Sequence, residues 1–385
     1  MNIEKIIDDF INKNIINDII NKNILIQLLK DKKLKIYVGI DPTNDKFHIG
    51  HLALYSTIMK FLDIGAHLVV LVGGFTGQIG DPSFSNKERP VLDPLVVEKN
   101  TEILIRKLKN LFRKYQNITF VNNQEWLNKL SLKDFLKYVT CISANRLMKM
   151  EHVKSRLEGE VHISFAELSY SLLQGIDFLY LFKEKSVNCQ FGAKDQLINI
   201  LMGIKMIKHF HQSDDIVGIG IPLLTKKNGE KFSKSNEDGV IWGDGTTNIF
   251  QFWQFFRNID DELLVNFLNI FTNLKDTTTV MKSDESINNY KIILADYITN
   301  LVYGHTNLIE ELKIKEDILL IDLLVKLKFL SSKSNAKKAL LNGSIKINNN
   351  KIKENIIINK QYFEGVEKIL LTYGKFKSIQ IINKF

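Results

Sequence analysis

Hydrophobic and polar positions along the 385 residues fall into two regimes. KIYVGI (35–40) and HLVVLVGG (67–74) are short apolar runs closed by glycine or followed by Asp-Pro, and they predict buried strands. The segment 51–62 between them predicts a helix, so strand, helix and strand follow one another as a βαβ unit. A second unit is predicted from strands at 187–191 and 216–221 with a helix over 196–210 between them. Helical spacing of apolar residues predicts one or two surface helices in 3–31, largely helical structure over 92–165, a helix over 165–180, and helices through 247–310. Residues 225–238 form a polar loop rich in Lys, Gly and Ser. The last 65 residues open on a helix pair and change to period-two strands such as SIKINNN. The expected class is α/β: a Rossmann-like, parallel-sheet domain, a helical domain, and a small α+β domain.

Charge sharpens that division. The net charge of +9 lies entirely in residues 321–385, which hold 13 lysines, no arginine and 4 acids; the first 320 residues are neutral. A neutral body with a basic terminal domain points to a polyanion, most often nucleic acid. A composition of 45% hydrophobic and 25% charged residues excludes wholesale disorder and coiled coil. No apolar run approaches the roughly 20 residues a membrane span needs. The N-terminal twenty residues mix acids and Asn with isoleucines, unlike a signal peptide. Cys141 and Cys189 offer neither metal-ligand spacing nor a disulfide framework. A cytoplasmic enzyme without a structural metal is expected.

Four clusters carry candidate chemistry. In the first, the strand ending at Asp41 runs through Thr43 to His48-Ile49-Gly50-His51 at the start of a helix. Glycine there admits a ligand to the backbone, and the helix N-terminus suits phosphate. Two imidazoles three residues apart share a face and can donate to oxygens that gain charge during attack at phosphorus. The second cluster, Gly73-Gly74-Phe75-Thr76-Gly77-Gln78-Ile79-Gly80-Asp81, places a single acid in a glycine-rich loop after an apolar strand. Asp81 is suited to a substrate ammonium group or to capping a turn. The third is a polar stripe, Tyr170, Gln174 and Asp177, at i, i+4 and i+7 on an otherwise apolar helix. Burying it requires partners, which a polar small molecule would supply. The fourth is Lys231-Phe232-Ser233-Lys234-Ser235, two lysines in a loop able to close over polyphosphate.

In this order the clusters resemble the signatures of class I aminoacyl-tRNA synthetases: HIGH at 48–51 and a KMSKS-like KFSKS at 231–235. The finer pattern resembles the bacterial-type tyrosyl-tRNA synthetases, through GIDPTNDKFHIGHL from Gly39, LVGGFTGQIGDPS from Leu71, FAELSYSLLQGIDF from Phe165, QFGAKDQ from Gln190 and GEKFSKS from Gly229. Residues 331–352 resemble the small αL-type RNA-binding fold.

The resemblance implies a tyrosine–tRNA ligase activity by way of tyrosyl-adenylate. It implies that Tyr37 and Asp177 hold the substrate's phenol hydroxyl, that Asp81, Tyr170 and Gln174 hold its ammonium group, and that Gln196 lies near its carboxylate. Asp41, Gly50 and Asp195 are implied on the ATP side, with Thr43, His48 and His51 facing its phosphates. Lys231 and Lys234, joined by Arg89, are implied to clamp the departing pyrophosphate. Lys333, Lys337 and Lys338 are implied to contact RNA. ATP is implied as substrate with Mg²⁺, and tRNA(Tyr), L-tyrosine and a second copy of the chain as partners, with no membrane.

The implied domains are 1–225 with a helical insertion near 120–165, then 226–318, then 319–385. Departures from the family pattern are Ser85 in place of a loop lysine, Ala193 and Asn349 in place of glycines, and Ile176 in place of a tyrosine. The sister enzyme for tryptophan is the nearest rival, and a non-catalytic RNA-binding descendant is a second.

Overall fold

The computed structural model describes residues 2–81, 92–159, 161–225, 232, 241–242, 247–277, 280–304, 310–327, 329–348, 350–363, 366, 368–374 and 377–383. Arg89, Lys231, Lys234, Ser85 and Asn349 lie outside these residues. Packing divides the chain into two compact units, one of residues 1–244 with 260–280, the other of 245–259 with 281–385. Residues 260–280, grouped by the sequence reading with 226–318, pack with the first unit.

The first unit is built on a six-stranded sheet. In chain order its strands are β1 (Asp18–Ile20), β2 (Lys35–Ile40), β3 (His67–Val72), β4 (Ile118–Asn122), β5 (Cys189–Ala193) and β6 (Val217–Ile221). Their spatial order is β1-β6-β5-β2-β3-β4, parallel throughout except for β1, which runs antiparallel to β6. Five of the six residues of β3 and all five of β6 are buried. Near-continuous Val, Ile and Leu is what a parallel sheet covered on both faces requires. The helices used below are α1 (Ile49–Leu62), α2 (Pro94–Leu111), α3 (Phe165–Lys185), α4 (Leu197–His211) and α5 (Asp261–Phe271). Eleven of the fourteen residues of α1 are buried, so this helix is apolar on nearly every side.

Two strands depart from expectation. β4 lies inside the stretch expected to be helical, and β1 lies inside the N-terminal helical stretch. Both are short, β-branched runs of three to five residues between helices. Their local period is too short to outweigh the helical spacing around them, and pairing to β3 and β6 decides their state. The expected insertion appears as helices at Gln124–Leu127, Leu132–Val139, Ala144–Met148 and Glu151–Glu158.

In the second unit, helices Ile249–Arg257 and Asp284–Tyr303 precede a small α+β fold. Its five-stranded sheet runs Asn350–Lys351, Ile345–Ile347, Lys368–Tyr373, Lys377–Asn383 and Glu310–Ile314. The edge strand Glu310–Ile314 pairs in parallel with Lys377–Asn383, so this sheet takes a strand from ahead of residue 319. Helices Leu320–Lys326 and Lys333–Leu341 complete its core around Leu323, Ala336, Leu371 and Ile381.

Candidate active site

The chain leaves β2 to build β3 and β4 on one side, then returns to build β5 and β6 on the other. The strand order therefore reverses between β2 and β5, and a parallel sheet opens a crevice at the carboxyl ends of such strands. A cavity of about 390 Å³ sits there. Tyr37, Asp41, Thr43, His48, Gly50, His51, Asp81, Tyr170, Gln174, Asp177, Asp195 and Gln196 all line it. The structure thus brings together every sequence-derived pocket residue that falls among the described residues, from segments spread over 160 positions of chain.

A continuous hydrogen-bonded chain forms one wall. Tyr170 Oη donates to Asp41 Oδ2 at 2.8 Å, and Thr76 Oγ1 donates to Asp41 Oδ1 at 2.7 Å. Asn123 Nδ2 spends its two hydrogens on Thr76 Oγ1 and Asp177 Oδ2, both at 3.0 Å. Its Oδ1 accepts from the Phe75 amide at 2.9 Å. Trp126 Nε1 donates to Asp177 Oδ1 at 2.8 Å, and its ring stacks on Tyr180 at 4.3 Å. Gly73 makes this arrangement fit: a Cβ there would stand 2.1 Å from Asp41 Oδ1 and 2.3 Å from Thr76 Oγ1.

Burial dominates the electrostatics. Asp177 is 2% exposed, and desolvation lifts its carboxyl to about 7, against the opposing pull of the Asn123 and Trp126 donors. Tyr37 stands beside it, its phenol held well above the ordinary value by burial and then by the charges of Asp177 and Asp41. Tyr170 is raised in the same way, by burial and then by Asp41 and Asp81. Both phenols stay neutral donors at physiological pH.

A second chain runs along the other side. Gln174 Nε2 donates to Gln196 Oε1 at 3.4 Å, and Gln196 Nε2 donates to Asp81 Oδ2 at 2.8 Å. Gln174 Oε1 and Gln190 Oε1 are buried with no hydrogen-bond partner among the described residues. Unmet acceptors in a cavity wall call for donors on whatever fills it.

The histidine pair has a defined protonation pattern. His48 caps α1, its Nδ1 accepting from the Gly50 amide at 3.1 Å. His51 Nδ1 accepts from the His48 amide at 3.2 Å, and the two rings lie 3.9 Å apart. Accepting at Nδ1 puts the proton of a neutral imidazole on Nε2, so each ring carries its donor at Nε2. The reason for glycine at 50 is also steric: a Cβ would lie 2.9 Å from the His48 ring.

Residues 29–315 match the family model described as tRNA synthetases class I (W and Y), and residues 305–375 match the tyrosine–tRNA ligase SYY-like C-terminal domain. The chain is 34% identical to the tyrosine–tRNA ligase of Latilactobacillus sakei subsp. sakei, over 97% of this chain and 98% of that one. The chain belongs to the class I tRNA synthetases, among the tyrosine–tRNA ligases. The Pediococcus pentosaceus tyrosine–tRNA ligase is 39% identical over 72% of this chain and 68% of its own. The crystal structure of a C-terminally truncated mitochondrial tyrosyl-tRNA synthetase from Coccidioides posadasii superposes with a TM-score of 0.67 at 27% identity, over 79% of this chain and 92% of that one.

In this tyrosine–tRNA ligase, three contributors had no role assigned from the sequence: Thr76, which lines the cavity, and Asn123 and Trp126, which hydrogen-bond Asp177. Thr76 stood inside a quoted motif without a role. Asn123 and Trp126 fall where helix was expected; the signal that could have found them is an Asn and a Trp just past a β-branched run, ITFVN. Two departures are accommodated. Ala193 has φ −74°, ordinary for any residue, and Ile176 is buried in the core beneath the pocket.

Proposed function

We propose that this tyrosine–tRNA ligase selects tyrosine by its hydroxyl at the Tyr37–Asp177 end of the cavity and activates it against ATP at the His48–His51 end. The observation that carries the reading is Asp177, buried, pinned by Asn123 and Trp126, and faced by Tyr37. A phenol hydroxyl adds a hydrogen bond at this pair, and phenylalanine would displace water from it without supplying that bond, which costs free energy. Asp81, Gln174 and Tyr170 take the ammonium group, consistent with the unmet Gln174 Oε1. Gln196 lies by the carboxylate, and Asp41, Gly50 and Asp195 serve the nucleotide.

The chain uses ATP, tyrosine and tRNA, as its family does. In the first step a tyrosine carboxylate oxygen attacks the α-phosphorus, a new O–P bond forms, and the bond to the β-phosphate breaks with pyrophosphate leaving. The nucleophile is already ionised, so no proton must be removed. Catalysis is alignment plus charge stabilisation. His48 and His51 donate from Nε2 to oxygens gaining charge, with Thr43 beside them, and Lys231, Lys234 and Arg89 hold the pyrophosphate. Mg²⁺ accompanying the nucleotide would supply neutralisation of phosphate charge. In the second step the terminal adenosine hydroxyl of tRNA takes the tyrosyl group and AMP leaves.

A homodimer in the cytoplasm completes the proposal, formed through the insertion near 120–165. Leu132 and Phe165, 73% and 74% exposed, together with Leu136 and Leu157, support a second copy covering this face. The division into 1–225, 226–318 and 319–385 assigns catalysis to the first part and RNA grip to the last. Lys337 and Lys338 lie exposed on helix Lys333–Leu341, which supports RNA contact. Amino-acid-dependent pyrophosphate exchange tests the reading. Exchange with tyrosine and none with phenylalanine or tryptophan is expected; exchange driven by tryptophan alone would overturn it.

A further inference from the structure

The far end of α1 carries a buried cation outside the cavity. Lys60 is 8% exposed, and its Nζ donates to the Thr272 carbonyl oxygen and, at 3.3 Å, to Asn273 Oδ1. Thr272 is the C-cap of α5, so the ammonium sits at the negative end of that helix's dipole. Asn273 Nδ2 reciprocates by donating to Asp63 Oδ2 at 3.3 Å. Lys13, capping helix Ile3–Asn12, holds the same segment through the Lys275 carbonyl oxygen at 2.9 Å. These groups surround a cavity of about 420 Å³.

α5 then leads to the second signature. Phe267, fully buried on α5, meets Phe232 edge to face at 6.0 Å. Phe232 is the residue after Lys231 and two before Lys234. α5 therefore connects the C-terminal end of α1, whose N-cap is His48, with Phe232, the described residue between the two signature lysines.

We infer that Lys60 is a positioning residue for adenylate formation, locking α5 to α1 and, through Phe267, fixing where Phe232 of the second signature packs. The inference rests on the function proposed above. A methionine would fill this volume at no desolvation cost, so a lysine that leaves water for a carbonyl and an amide oxygen serves registry. Its amine is pulled down to about 8, chiefly by burial; Asp63 opposes, Lys13 reinforces, and Asp9 opposes. Lys114, 3.8 Å from Asp63, Tyr115, whose hydroxyl donates to Asp63 at 2.9 Å, and Lys275, which lines the same cavity, are the further charged and titratable groups nearby. A lysine with a lowered value loses its proton as pH rises through about 8, and its charge-assisted bonds to the Thr272 carbonyl and Asn273 become weaker bonds from a neutral amine.

The test is tyrosine-dependent pyrophosphate exchange by the full-length enzyme, wild type against Lys60→Met and Lys60→Arg. A displaced clamp costs rate while tyrosine binding is spared, so Lys60→Met is expected to lower kcat between about tenfold and a hundredfold with the KM for tyrosine within about twofold. Wild type is expected to lose kcat above about pH 8 in a one-proton step. Lys60→Arg, always charged, is expected to recover most activity at pH 7 and to lack that step. Wild-type exchange with an unchanged kcat in Lys60→Met overturns the inference and leaves the proposed function standing. A step near pH 8 that persists in Lys60→Arg overturns it as well. Should Lys60→Met fail to fold by circular dichroism, the pH profile of Lys60→Arg decides alone. Absence of tyrosine-dependent exchange in wild type would instead sink the proposed function.

Discussion

The pocket and the basic tail handle charge in opposite ways. In the pocket, buried Asp177, Tyr37 and Tyr170 pack with half-buried Asp41, and the hydrogen bonds of Asp41, Asp177 and Tyr170 are largely assigned before any ligand arrives. In the tail, lysines stand in water on helix Lys333–Leu341 with a net charge of +9 across 65 residues. The first arrangement discriminates atom by atom, because an unmet buried group costs about 1–3 kcal/mol. The second attracts any phosphate backbone and weakens with salt. Selectivity and grip are separated because one requires desolvation and the other requires solvent-exposed charge.

The comparison breaks most readily at the histidines. Replacing both His48 and His51 with Ala should reduce adenylate formation by at least about a hundredfold in single-turnover assays, while tRNA retention on filters stays near wild type. Part of any loss of folded protein would reflect the missing α1 cap, which circular dichroism resolves. Equal loss of both activities would show that the two regions are not separable.

Asn123→Ala should come next. It removes donors from both Thr76 and Asp177, at about 1–3 kcal/mol, which corresponds to roughly a 5- to 150-fold weaker tyrosine affinity by fluorescence titration. ATP affinity should hardly move. An unchanged tyrosine Kd would mean Asp177 needs no support.

In the tail, Lys337→Ala and Lys338→Ala should each weaken tRNA binding several-fold and reduce the slope against log salt by about one. Lys333→Ala should do less, because Lys333 is 2.7 Å from Asp322 and already has a counter-charge. A reversed ranking would relocate the RNA face. Pyrophosphate exchange should be unaffected in all three.

A further effect is one of pH. Asp177 is lifted to about 7 from the ordinary carboxylate value, so the fold favours its protonated form. The stability this provides is complete below the unfolded value near 4 and is lost as pH rises through about 7. The difference in Tm between Asp177→Asn and wild type should therefore grow in favour of the variant up to about pH 7 and then level off. A difference constant from pH 5 to 8 would place the ionisation elsewhere.

Much of this site was legible because its residues come in contiguous clusters. His48, Gly50 and His51 sit in four successive positions, and Tyr170, Gln174 and Asp177 share one face of one helix. Local period and spacing carry such information directly. Thr76, Asn123 and Trp126 were not legible, because their roles depend on partners 35 to 54 positions away. Strand Glu310–Ile314 escaped for the same reason: its partner strand begins at Lys377.

The sequence by itself determined the two signature clusters, the polar stripe on α3, the βαβ units and the confinement of charge to the tail. These are properties of neighbours along the chain, set by residue type and period. Only the tertiary structure decided that Tyr170 donates to Asp41 and that Asp177 is pinned by Asn123 and Trp126. It alone turned both histidine Nδ1 atoms onto backbone amides and put Lys60 at the end of α5. Each of these depends on which groups lose water together, and desolvation is a property of the packed fold that no local pattern records.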